Sequence, residues 1–190
     1  MPMTERFTEA MTYAAELHRT QVRKGSEVPY IAHLMSVSAL ALEYGANEDE
    51  AIAALLHDAI EDQGGDVTRQ EIRRRFGDTV TEIVNGLSDS DVQPKPPWRE
   101  RKETYIAHLG GASPSVLLVS VCDKLHNATS VLRDYQRIGE DLWPRFRGGK
   151  DGTLWYYRAL VTTYRQCFQS PLINELDRVV SELETLAKQD

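Results

Sequence analysis

Only two cysteines, Cys122 and Cys167, occur in the 190 residues, too few for a disulfide framework. Both fall in apolar helical patterns, where a free cysteine behaves as a small core residue, and the expected compartment is a reducing cytoplasm. No apolar run approaches the length of a membrane span. The opening residues Met1-Pro2-Met3-Thr4-Glu5-Arg6 are polar and lead into an amphipathic helix, which argues against a signal peptide. Positive charge is in deficit: 22 Lys and Arg against 29 Asp and Glu give a net charge of −7. That balance argues against general nucleic-acid binding, which needs a basic surface, but it leaves room for a small anionic ligand held by a local basic cluster. Internal repeats, low-complexity tracts, alternating strand patterns and convincing linkers are also missing. With 41% hydrophobic and 27% charged residues, ordinary values for a soluble globular protein, residues 1–190 are expected to form a single domain with a real core.

What remains is helix. Phe7, Ala10, Met11, Ala14 and Leu17 recur at helical spacing, as do Tyr30, Ile31, Leu34, Val37, Leu40, Ala41 and Tyr44, with a charged loop from Gln21 to Pro29 between them. A third helix is expected from Glu48 to about Ile60, its tail ended by Gly64-Gly65. Thr68 and Glu71 have capping-box spacing and predict a short helix closed at Gly77; Val80, Ile83, Val84 and Leu87 continue as another. Pro94, Pro96 and Pro97 mark a loop. Trp98 to Leu109 is helical, and Gly110-Gly111 and Pro114 break the chain. Val116 to about Tyr135 is a long apolar helix, expected to be central. A loop over Gln136 to Lys150 precedes an aromatic helix from Gly152 to Phe168, and Ser170-Pro171 starts the last stripe, Leu172, Leu176, Val179, Val180 and Leu183.

The most informative run is Leu55-Leu56-His57-Asp58-Ala59-Ile60-Glu61-Asp62, an apolar helix that ends in a histidine and three carboxylates. On one helix, Glu61 would lie under both His57 and Asp58, and Asp62 under Asp58. Acids placed there sit badly against the helix dipole, which favours a functional role. Imidazole beside carboxylate is a ligand pair for a first-row metal, and two more carboxylates within a turn could orient a metal-bound water and carry its proton. His57 and Asp58 need company. Other helices offer His33 and also Asp123, which follows the apolar run Val116-Leu117-Leu118-Val119; a buried charge there needs a partner or a metal. Two imidazoles and two carboxylates suit a roughly octahedral ion such as Mn²⁺ or Fe²⁺ better than a closed tetrahedral zinc site. The pattern points to a metal-dependent hydrolase.

A histidine, then His-Asp, then a distant Asp resembles the HD-domain phosphohydrolases. The ordered set Arg23-Lys24, Pro29-Tyr30-Ile31-Ala32-His33, His57-Asp58-Ala59-Ile60-Glu61-Asp62 and Asp123-Lys124-Leu125-His126-Asn127 resembles the hydrolase domain of the RelA/SpoT family, and most closely its small alarmone hydrolases, over roughly residues 7–168. The resemblance implies an all-α, HD-domain helical bundle with the metal site between central helices. It implies one Mn²⁺ held by His33, His57, Asp58 and Asp123, and removal of the 3′-pyrophosphate from hyperphosphorylated purine nucleotides, (p)ppGpp or (p)ppApp. By the same resemblance Glu61 and Asp62 are catalytic, Arg23 and Lys24 help hold the nucleotide, Asn127 lines its pocket, and Ser130 stands where the family often has a threonine. Leu34 and Cys122 replace a common proline and alanine without removing a ligand. The long members' synthetase and regulatory domains have no counterpart here, so hydrolysis without synthesis is expected.

Two alternatives stay open: another HD-type nucleotide phosphohydrolase, or a nucleotide-binding sensor or antitoxin on the same scaffold. Retention of Glu61-Asp62 speaks against a pure sensor. The partner expected is a small nucleotide, with neither nucleic acid nor a membrane. His126 is expected to support the site rather than ligate, and His18 has no assigned role. Trp98, Arg101, Lys102 and Tyr105 fit either a phosphate-binding face or an ordinary packed helix.

Overall fold

The spine of the fold is the helix Pro114–Ile138. Ser113 accepts from the Val116 amide and caps it, and Pro114 occupies the first turn, where a missing N–H costs nothing. Its buried face runs from Val116 through Leu125 and Ala128 to Tyr135. The computed structural model describes residues 2–88 and 95–188, so the expected loop proline Pro94 lies outside the described residues. In chain order the helices are α1 Glu5–Leu17, α2 Ile31–Glu43, α3 Glu48–Leu56, α4 Ala59–Asp62, α5 Asp66–Leu87, α6 Trp98–Leu109, α7 Pro114–Ile138, α8 Gly149–Cys167 and α9 Pro171–Leu186, with a 3₁₀ turn over Gly139–Arg145. The fold is all-α, with no strand among the described residues beyond one isolated bridge between Val22 and Pro29. Helix α7 packs on α9, α2, α5 and α3, while α3 packs on α1, α2 and α5. No helix among the described residues is long and apolar enough to cross a membrane.

Several boundaries differ from the sequence expectation. The helix expected to run unbroken from Glu48 to Ile60 stops at Leu56. His57 Nδ1 donates to the Ala54 carbonyl at 2.8 Å, the acceptor that a continuing helix would offer to the Asp58 amide. Asp58 then takes the bridge conformation (φ −98°, ψ −1°), and one short turn, α4, follows. His57 and Asp58 therefore occupy a corner, and the single-helix face drawn for Glu61 and Asp62 is replaced by two segments.

The capping box expected at Thr68 and Glu71 does not form. Helix α5 begins earlier, at Asp66; the Thr68 hydroxyl donates to the Gln63 carbonyl and Glu71 pairs with Arg74 and Arg75. Gly77 interrupts α5 with φ 88° and ψ 178°, so the expected break there is real. The central helix extends to Ile138, and part of the expected loop is the 3₁₀ turn. Cys122 is buried and Cys167 half-buried, both free.

Candidate active site

His33 enters from the first turn of α2, His57 and Asp58 from the corner after α3, and Asp123 from the middle of α7. One donor atom each from His33, His57 and Asp58 lies within 4.8 Å of the others. Asp123 Oδ1 stands 3.2 Å from His33 Nε2 and 3.5 Å from His57 Nε2, and Asp58 Oδ2 stands 3.0 Å and 3.7 Å from the His57 and His33 Nε2 atoms. Both imidazoles and Asp123 are buried.

Because His57 Nδ1 donates to Ala54, the neutral ring turns an Nε2 lone pair toward Asp58 and Asp123. That nitrogen is buried and has no hydrogen-bond partner. A lone pair facing carboxylate oxygens in a closed space needs a cation between them, either a proton or a metal ion. The proton affinities agree. Burial opposes charge on His57, but Asp58 and Asp123 outweigh it and push its pKa well up. Burial likewise opposes ionisation of Asp58, yet His57 holds its carboxyl far below the usual range. Two imidazole nitrogens and two carboxylates fit a divalent cation.

The groups behind the donors fix their orientation. His33 Nδ1 meets His126 Nδ1 at 2.8 Å. Burial, with His33 and Arg23 alongside, lowers His126 to about 4 and keeps it neutral; in the tautomer where His126 accepts from His33 Nδ1, the His33 Nε2 lone pair faces the centre. Asp123 Oδ2 accepts from Lys124 Nζ at 2.6 Å and Oδ1 from Asn127 Nδ2 at 2.5 Å. Asn127 Oδ1 in turn accepts from Arg23 Nη2 at 2.8 Å, which ties the loop before α2 to the spine. Tyr30 donates its hydroxyl to Asp58 Oδ2 at 2.6 Å; burial and the neighbouring Asp58 drive its own pKa up.

Glu61 and Asp62 leave the corner on α4. Lys95 Nζ donates to Glu61 Oε1 at 2.6 Å, and Gln21 Nε2 donates to Asp62 Oδ2 at 2.8 Å. The Gln21 amide cannot flip without cost, because its Oε1 accepts from Gln63 Nε2 and faces His18 Nδ1, both at 2.6 Å. His18, given no role from sequence, is buried and stacks on Tyr30 with ring centroids 5.3 Å apart. Burial, then Asp58, raises the Asp62 pKa.

Two cavities flank the cluster. One, of about 590 Å³, is lined by Asp58, Glu61, Asp62 and Asp123 together with Lys24, Lys95, Arg101, Lys102, Lys124 and Arg147. The other, of about 850 Å³, is lined by Arg23, Lys24, His33, His126, Asn127 and Ser130 and continues along α7. The ten site residues expected from the sequence thus stand either in the His-Asp cluster or in the walls of the two cavities beside it. Sequence reasoning missed Lys95 and Lys124, the supports Gln21 and His18, and Arg147. Trp98 also walls the first cavity. A Cβ at Gly148 would fall 2.6 Å from its ring, so glycine there makes room for the indole. The Asp-Lys-Leu-His-Asn run held a signal for Lys124, since its side chain neighbours Asp123 in sequence. Gln21 and Lys95 carried none.

Comparison with known proteins agrees with the geometry. A family model described as an HD domain matches residues 10–154. The guanosine-3′,5′-bis(diphosphate) 3′-pyrophosphohydrolase MESH1 of Xenopus tropicalis is 38% identical over 142 residues, covering 73% of this chain and 74% of that protein; its human counterpart is 36% identical over 142 residues, with the same coverage. A solved structure of a metazoan ortholog of SpoT that hydrolyses ppGpp is 29% identical and superposes with a TM-score of 0.79, covering 96% of this chain and 97% of the other. A structure from Listeria monocytogenes, lmo0812, gives 0.71 at 28% identity, over 82% and 99%. With His57 and Asp58 at the bend after α3 facing His33 and Asp123 and this kinship along most of its length, the chain belongs to the HD-domain hydrolases of the RelA/SpoT type.

Proposed function

We propose that this chain is a metal-dependent 3′-pyrophosphohydrolase of hyperphosphorylated purine nucleotides such as ppGpp or ppApp, working in the cytoplasm as a single domain over residues 1–190. The observation that carries the reading is the unpartnered, buried His57 Nε2 facing Asp58 and Asp123, at the edge of a cavity that joins four carboxylates to six cations. A purely structural cluster has no need of such a wall. The names of the MESH1 relatives support the substrate class.

In this reading His33, His57, Asp58 and Asp123 hold one divalent ion, Mn²⁺ by preference. When bound, such an ion supplies Lewis acidity and a source of hydroxide near neutral pH. The rest is done by the chain. His126 and Ala54 hold the two rings with their Nε2 atoms inward, as supporting partners of ligating histidines do. Glu61 and Asp62 orient the attacking water and take its proton, Asp62 being aimed by Gln21. Lys24, Lys95, Arg101, Lys102, Lys124 and Arg147 neutralise the pyrophosphate, since phosphoryl transfer depends on positioning and charge compensation more than on covalent chemistry. Arg23 and Asn127 bridge the metal centre and the larger cavity, where the nucleoside lies with Ser130 beside it.

The test is product formation by the purified chain with Mn²⁺ on ppGpp and ppApp in parallel, with a chelated control. Metal-dependent pyrophosphate release from one substrate establishes reaction and base together. Release from both means that recognition rests on the phosphates and stacking. Release from neither, with metal bound, refutes the proposal.

A further inference from the structure

Outside the His-Asp centre, His18 is the only buried imidazole among the described residues. It caps the C-terminus of α1, and its Nε2 is buried with no hydrogen-bond partner among the described residues. A buried unpaired nitrogen lowers stability, and an apolar side chain there would avoid the loss. The other edge of the ring and its face must therefore account for a histidine at this place.

The other edge meets Gln21. His18 Nδ1 stands 2.6 Å from Gln21 Oε1. The sense of that bond follows from the far end of Gln21, whose Nε2 lies 2.8 Å from Asp62 Oδ2. An ionised carboxylate only accepts, so Gln21 Nε2 donates, its Oε1 accepts, and His18 Nδ1 carries the proton. Gln63 Nε2 donates to the same oxygen at 2.6 Å. With the amide reversed, Gln21 would turn its oxygen on the carboxylate and its NH₂ on two donors. His18 and Gln63 together thus decide which end of Gln21 faces Asp62.

The face of the ring meets Tyr30. The two rings stack with centroids 5.3 Å apart and planes 19° from parallel. The Tyr30 hydroxyl donates to Asp58 Oδ2 at 2.6 Å. One imidazole therefore touches two supports, one behind Asp58 and one behind Asp62, the carboxylates at either end of the α4 turn.

We infer that His18 is a positioning residue for the hydrolysis: its Nδ1–H fixes Gln21 and so the direction of Asp62, and its ring face braces Tyr30 and so Asp58, which keeps the water-handling carboxylate in register with the metal-binding one. The inference rests on the hydrolase reading for the roles of Asp58 and Asp62.

The experiment separates the edge of the ring from its face. His18→Phe keeps the stack and loses the donor. His18→Asn keeps a donor where Nδ1 stands and loses the stack. On whichever of ppGpp and ppApp the wild type cleaves, His18→Phe should lower kcat about fivefold, the worth of one neutral hydrogen bond, with KM and calorimetric Mn²⁺ affinity held. His18→Asn should keep most of kcat and bind Mn²⁺ several-fold more weakly. His18→Gln, which places its amide nearer the Nε2 position, should match His18→Phe in kcat and serves if the phenylalanine variant fails to fold. In a Gln21→Leu background His18→Phe should cost nothing more, since residues acting through one contact do not add. NMR of the metal-free chain gives a readout without turnover: the Gln21 side-chain amide protons should be displaced and slow to exchange in the wild type and His18→Asn, and averaged with solvent in His18→Phe. Wild-type kcat in His18→Phe, a loss that adds fully to that of Gln21→Leu, or an unchanged Gln21 amide signal overturns the positioning role and leaves the hydrolase reading standing. A wild type that releases no pyrophosphate from either nucleotide overturns the hydrolase reading, and with it the catalytic role of His18.

Discussion

Asp123 serves two masters, and replacing it with asparagine separates them. Its Oδ1 faces the two imidazoles and its Oδ2 holds Lys124 at 2.6 Å. Burial opposes its ionisation, but Lys124, His33 and His57 outweigh burial and hold its carboxyl well below the usual range. The ionised form therefore stabilises the fold even without metal. Asp123→Asn leaves the Lys124 ammonium, 16% exposed in its side chain, without its carboxylate. Breaking a buried pair from one side costs about 3–5 kcal/mol; with the residual exposure of Lys124, about 3 kcal/mol is expected for the metal-free variant. Adding Lys124→Met, which removes the stranded charge, should recover more than half of that. Metal acts on top. At a hundredfold excess over its Kd, Mn²⁺ should stabilise the wild type by about 2.7 kcal/mol, or roughly 5–10 °C in Tm for a chain of this size, and should do far less for either variant. Urea denaturation and thermal melts with and without Mn²⁺ measure all of these. If metal-free Asp123→Asn matches the wild type and still gains fully from Mn²⁺, both the ion pair and the ligand assignment are wrong.

Three further outcomes are expected. Glu61→Gln should abolish turnover while Mn²⁺ and nucleotide binding, measured by calorimetry, persist; near-normal turnover would mean the role is misassigned. Gln21→Leu removes the donor that aims Asp62, so kcat should fall roughly tenfold with KM held, by the loss of one hydrogen bond to a charged group; a change confined to KM would contradict a positioning role. The pH dependence of the metal-free chain follows from His57, whose folded pKa is raised. Its stabilising contribution is complete below the unfolded value of about 6.5 and is lost as pH rises through the folded value. Metal-free stability should therefore decline above about pH 6.5, whereas Mn²⁺, which displaces that proton, should bind more tightly over the same range. Parallel urea titrations across pH 5–9 distinguish this from a flat profile in both states.

The helices were legible wherever an apolar stripe was long, as in α2, α7 and α9, because burial of one face is a signal carried by every third or fourth residue. Ser170-Pro171 marked its helix start for the same local reason: the Ser170 hydroxyl accepts from Leu172. The corner at His57 was not legible. The His57 ring takes a carbonyl that helix propensity assigns to the backbone, and side-chain competition of that kind leaves no trace in periodicity. Thr68 misled for a related reason, its hydroxyl being spent on Gln63 rather than on a cap.

What the sequence by itself determined is most of the helices, and it named the imidazoles and carboxylates proposed for a metal, since His57-Asp58-Ala59-Ile60-Glu61-Asp62 puts four of the candidates in one short run. What only the tertiary structure decided is how those groups are held and what faces them. His33 meets His126 across 93 positions, Arg23 meets Asn127 across 104, and Gln21 meets Asp62 across 41. Such contacts arise because α7 carries the loop before α2 and the corner after α3 on one buried face. Spacing along the chain reports only neighbours within a turn, whereas hydrogen-bond partners and the cationic wall come from elements brought together by packing.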